Sequence, residues 1–187
     1  MRYVLLIAAS LVIQQHTALA QSRPSSDSIR RLAGGAFPTL PAAIQRDLAS
    51  RECLIPQPWD ASTPQNVIRG AFTAPRVSEW AILCSVRATS QILIYRADTG
   101  GGAHVVDSLQ QTSDIASMQG VGNGRWGYSR LIRTRPRRRI LGWRVDADRN
   151  PIPRPIDHDA IDDVFLEKAT QSFYCVAGRW YRQITAD

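Results

Sequence analysis

Two short runs leave this chain little choice about the sheet it builds. "WAILCSV" (80–86) and "ILIY" (92–95) are apolar on both pleat faces. A strand sends successive side chains to opposite faces, so a run without polar alternation has no face for water. Both are expected as central strands, covered on either side. Further branched and aromatic runs, "NVIRGAF", "AHVVDSL", "GYSRLIRT", "RRILGWRV", "DVFLEKATQSFYC" and "RWYRQIT", are separated by turn residues and read as consecutive strands. "TGGGA" and "GVGNG" supply residues that tolerate positive φ at bends, and "CVAGRW" has the form of a hairpin tip. Upstream, "LPAAIQRDLASREC" places Ala43, Ile44 and Leu48 at helical spacing behind a proline. The expected fold is mainly β (α+β): an antiparallel sheet, twisted or sandwich-like, with one short N-terminal helix.

The N-terminus has a different logic. Arg2, an apolar run from Val4 to Ile13, and small residues at Ala18 and Ala20 form the pattern of a secretory signal peptide over 1–20. An apolar run of about ten residues is too short for a hydrocarbon core that needs about 20, and no transmembrane segment is expected in the mature chain. Residues 21–37, rich in Ser, Gly and Arg, read as a flexible leader. The remainder, 38–187, is of a size for a single β-rich globular domain. An oxidising periplasmic or secreted setting permits disulfides. Of Cys53, Cys84 and Cys175, the expected pair is Cys53 with Cys84, contributing roughly 3–4 kcal/mol in the chain-entropy model. Cys175 is then a small buried core residue.

The net charge is +7, carried almost wholly by arginine, since Lys168 is the only lysine. "RLIRTRPRRRILGWR" (130–144) holds seven arginines. If "GYSRLIRT" and "RRILGWRV" pair through a turn, alternation sends Leu131, Leu141, Trp143 and Val145 to one face. Arg135, Arg137, Arg138 and Arg139 then cluster at the loop end, where their summed field attracts anions. These four are the candidate binding residues. Trp126, Tyr128 and Trp143 fall in strand positions that favour core or half-buried packing over base stacking, so no nucleic-acid partner is expected.

"DHDAIDD" (157–163) sets carboxylates around an imidazole. Asp157, His158, Asp159 and Asp162 are candidate ligands for a divalent cation, against a solvated turn before a strand. "GVGNGRWG" lacks the flanking strand–helix context and the Lys-Ser or Lys-Thr pair of a phosphate loop. No cofactor is expected. Two facing carboxylates would be needed for glycoside hydrolysis; Glu79 with Glu167, if a cleft joins them, and the acids of 157–163 are the candidates.

Residues 70–95, "GAFTAPRVSEWAILCSVRATSQILIY", resemble one FG-GAP unit of integrin-type β-propellers, degenerate in that "TAPRVS" lacks most acids of the calcium loop. "LPAAIQRDLASRECLIPQ", "NVIRGAF", "EWAILCS" and "HDAIDDVFLEKATQSFYCVAGRW" together resemble a group of uncharacterised secreted or periplasmic proteins of Gram-negative bacteria. That resemblance implies an envelope location and no particular chemistry. The resulting expectation is a secreted, non-enzymatic envelope protein that binds an anionic envelope component or a protein partner. The alternative is a small carboxylate-dependent hydrolase acting on envelope polymers.

Overall fold

The computed structural model describes residues 24–186; the expected signal peptide, 1–20, lies outside the described residues. Numbered along the chain, the strands are β1 Arg31–Leu32, β2 Ile55–Pro56, β3 Val67–Gly70, β4 Glu79–Val86, β5 Thr89–Ala97, β6 Ala103–Ser113, β7 Met118–Gly120, β8 Trp126–Tyr128, β9 Arg130–Arg135, β10 Ala160–Phe165, β11 Ala169–Val176 and β12 Arg179–Ala186. β3 to β6 form one four-stranded antiparallel meander and β9 to β12 another. The doubly apolar runs are the two inner strands of the first sheet, as expected. β4 turns into β5 through Arg87 and Ala88, with φ of 49° and 59°, and β11 into β12 through Ala177 and Gly178, with φ of 49° and 77°. Turns of this hand match the right-handed twist of the strands they join.

Alternation on β4 and β5 explains why one sheet needs two covers. Ala81, Leu83, Ile92 and Ile94 point to a cluster shared with Ile132 of β9 and Ile161 of β10, so the two sheets pack face to face. Ile82, Cys84, Leu93 and Tyr95 point the other way, onto Ile44 and Leu48 of helix α1, Ala42–Ser50. α1 stops in a Schellman motif: Cys53 N–H bonds to Leu48 O and Glu52 N–H to Ala49 O, with Glu52 at φ 55°. The next residue, Cys53, is bonded to Cys84 of β4, which ties the helix C-terminus to the sheet it covers.

Arg130 joins the two sheets. Its side chain and that of Asp163 are both fully buried, with Nε–Oδ1 at 2.8 Å and Nη2–Oδ2 at 3.0 Å. The remaining donors cross to the first sheet, reaching Ser90 O and Oγ and the carbonyl of Gln110. Gln110, at φ 48°, sits where the β5–β6 register slips between Ser90 and Ile92. A bulge leaves backbone groups without a ladder partner, and the guanidinium supplies one.

Two expectations are corrected. The flexible leader expected over 21–37 is ordered from residue 24: Ile29 and Phe37 are core residues and β1 pairs with β2. Two apolar anchors and a short ladder offset the ordering that the polar composition disfavours. "RRILGWRV" is not a strand and β9 does not pair with it; β9 pairs with β10 instead. Pro136 ends β9, and Pro151, Pro153 and Pro155 remove N–H donors from the stretch that follows. That stretch covers the outer face of the second sheet, where Ile140, Ile152 and Ile156 pack on Ala160, Tyr174 and Tyr181. Leu141 and Val145, expected on a packed face, are 45% and 44% exposed.

Candidate functional site

Of the four expected binding arginines, Arg135 ends β9 and the other three form a one-turn 3-10 segment, Arg137–Arg139, just beyond it. Arg135 is committed internally: its Nε lies 2.6 Å from Asp162 Oδ1, which also accepts from Ser172 Oγ at 2.6 Å. Arg137 is partly committed, with Nε on the carbonyl of Ile156 and its own N–H on Asp159 Oδ1. Arg138 and Arg139 remain exposed. Half of the expected patch is therefore structural.

The four candidate metal ligands do not converge. Asp162 faces the outer side of the second sheet and Asp163 the inner side, because neighbours on a strand alternate. Asp157 Oδ1 lies 2.6 Å from His158 Nδ1, whose ring stacks on Tyr174 with centroids 4.5 Å apart. Asp159 holds the backbone of Ala71 and Arg137. Among the described residues no group of three or more His, Cys, Asp or Glu side chains is placed to hold a metal ion. The acids of "DHDAIDD" serve as local hydrogen-bond acceptors.

Glu79 and Glu167 do not form a facing pair. Glu79 is fully buried and saturated, accepting from the N–H groups of Phe72 and Thr73, the Thr73 hydroxyl at 2.5 Å and Arg96 Nη2 at 2.7 Å. Burial alone would raise its pKa, but these donors outweigh it and hold the carboxyl below its ordinary value. Its work is to fold loop 71–78. Glu167 sits on the exposed β10–β11 turn at φ 60°.

A concave surface with aromatic walls lies between loop 57–61 and the β7–β8 hairpin. The cleft, about 410 Å³, is lined among others by Arg30, Gln57, Trp59, Arg125, Trp126 and Tyr128. Three features of the sequence build it. Gln57, 1% exposed, donates to the carbonyls of Ile55, Pro56 and Gln65 and accepts from Gln65 N–H, which pins the loop from both ends. The Trp59 N–H then bonds to Tyr128 O at 2.8 Å, laying the loop against β8. Finally, Gly127 lets the indole lie across the strand: a Cβ there would come within 2.5 Å of Trp59 Cβ and 2.8 Å of Val121 Cγ1.

A second recess, about 450 Å³, adjoins the first and shares Arg125 and Trp126 with it. Its floor is glycine. Gly120 is the cross-strand partner of Trp126, and a Cβ on it would meet nothing within 4 Å, so the space beside the indole is open. Gly122, Asn123 and Gly124, at φ 86°, 51° and 69°, turn the chain back with no bulky side chain. Tyr128 closes the inner end of the first cleft; its hydroxyl lies 3.1 Å from Ser90 Oγ, and burial pushes its pKa far upward, so it stays a neutral phenol.

Trp59 is 45% exposed and Trp126 37% exposed. Covering both indoles would remove roughly 200 Å² of surface, about 5 kcal/mol before the cost of association. The Arg125 guanidinium makes no ion pair among the described residues, and Arg30 spends one donor on the carbonyl of Ala61. No carboxylate, imidazole or thiol lines either recess. The arrangement can hold an anionic group against an aromatic surface, and the hydroxyls in its lining are those of Ser28 and Tyr128. Trp126 was expected to pack in a strand, and Trp59 was not singled out. The available signal was "PQPWDASTPQ", a tryptophan in a proline-rich polar stretch with no apolar periodicity to bury it. Comparison with protein-family models, with curated proteins and with solved structures finds no match, so the site is read from its chemistry.

Proposed function

We propose that this chain is an exported, non-enzymatic envelope protein that binds an anionic envelope component in the Trp59–Trp126 cleft, with Arg138 and Arg139 as an accessory contact. The observation that carries the reading is the lining of the cleft: two exposed indoles and two arginines, with no carboxylate, imidazole or thiol among the lining residues. Concave sites with apolar walls and a few convergent polar groups are where ligands bind. Export is supported by the leader pattern of residues 1–20 and by the Cys53–Cys84 disulfide, a bond that persists in oxidising compartments.

The test is retention of the mature protein on isolated envelope fractions at two ionic strengths. Trp59→Ala with Arg125→Gln should weaken retention about tenfold or more, the loss expected of an aromatic anchor and its ionic neighbour. Replacing Arg138 and Arg139 by Gln should cost less and should flatten the salt dependence. Unchanged retention of the cleft variant would refute the reading. The hydrolase alternative needs two facing acids; Glu79 is held by Arg96, Glu167 lies on an exposed turn, and the acids of 157–163 are paired with His158, Arg135, Arg130 and the Arg137 backbone, which gives it no support.

A further inference from the structure

We infer that the paired recesses around Trp126 bind an acidic oligosaccharide, with adjacent sugar rings on the two tryptophans and a ring carboxylate on Arg125. This rests on the binding reading above and adds the ligand class. A pyranose ring has one face of C–H groups, weakly positive, and an edge of hydroxyls. The C–H face suits the negative face of an indole, and the hydroxyl edge wants in-plane donors and acceptors. Both indoles sit at an open rim, 45% and 37% exposed, where a polymer can lie across them. A lipid chain would require an enclosed apolar cavity instead.

The two recesses share Trp126 and Arg125 and differ in the rest of their lining. One indole thus has open space in both recesses, as consecutive rings of a chain require. The glycines at 120, 122 and 124 keep the second recess free of side chains that would block a bulky ring. Charge supplies the remaining selectivity. Arg125 borders both recesses and Arg30, with one donor held by the Ala61 carbonyl, borders the first; no carboxylate lines either recess, and a guanidinium binds a carboxylate in bidentate fashion. A neutral sugar would leave those donors to water.

The test follows tryptophan emission of the full mature protein on titration with three probes: tetragalacturonate, its fully methyl-esterified form, and tetraglutamate. Tetragalacturonate should bind saturably, and each of the other two about tenfold or more weakly, because one lacks the charge and the other the rings. Trp59→Ala, Trp126→Ala and Arg125→Gln should each weaken tetragalacturonate binding about tenfold, with melting temperature as the control for folding. Gly127→Ala, which removes no ligand contact, should weaken it as well by displacing the Trp59 indole. Equal affinity for the methyl ester or for tetraglutamate would overturn the inference, as would full binding by Trp126→Ala. Absence of tetragalacturonate binding, with envelope retention still lost in the cleft variant, would sink the ligand class alone. Absence of both effects would sink the cleft as well.

Discussion

Asp163→Leu gives the sharpest test of how the two sheets are held together. The substitution removes both acceptors of a bidentate pair in which neither side chain touches solvent, and it leaves the Arg130 charge in the interior. Removing one partner of a buried pair costs about 3–5 kcal/mol, mostly as the penalty on the abandoned charge. Against a total stability of about 5–15 kcal/mol this is a large fraction. In melting temperature it corresponds to roughly 6–20 °C for a chain of this size. Urea unfolding at constant m is the assay. The double variant Arg130→Met with Asp163→Leu removes the orphaned charge and should recover part of the loss. It should not recover all of it, because Arg130 also donates to Ser90 and to the carbonyl of Gln110 at the β6 bulge. A double variant no better than the single one would show that the charge was never the cost. A single variant within about 0.5 kcal/mol of wild type would refute the pairing as a structural element.

Removing the disulfide by Cys53→Ala with Cys84→Ala, which opens a loop with a sequence separation of 31, should cost about 3–4 kcal/mol in the chain-entropy model; an unchanged urea midpoint would count against that magnitude. Glu79 supplies an acid-sensitive contribution. A carboxyl held below its ordinary value of 4.5 stabilises the fold above that pH, and the contribution is lost as pH falls through the folded-state value. Glu79→Gln should therefore lower stability at neutral pH and flatten the loss on acidification below about pH 4.5, and parallel wild-type and variant curves would contradict the assignment. Cys175 is 1% exposed and burial raises its thiol pKa. It should resist thiol reagents in the native state and react on denaturation, whereas rapid labelling of the native protein would contradict its burial.

The local signals in the sequence were strong wherever burial and backbone chemistry agreed. The apolar character of 80–84 and 92–95 on both faces demanded covers on both sides, and the helix at 42–50 with the second sheet supplies them. The Arg87–Ala88 turn shows the limit of residue identity, since neither residue favours positive φ and the strands impose it. "RRILGWRV" shows another limit: its pattern suits a strand, but the prolines after it deny a ladder, and the outer face of the second sheet needed a lid.

Charges were legible as types and not as roles. In "DHDAIDD" the acids lie close along the chain, yet alternation sends Asp162 to Arg135 and Asp163 to Arg130 on opposite faces of one sheet. The sequence by itself determined the antiparallel β character and the short helix, because these follow from periodicity and turn residues. Only the tertiary structure decided which arginines are spent inside and where a cleft opens. Trp59 and Trp126 are 67 positions apart, and bringing residues at that separation to one cleft depends on how the whole chain packs.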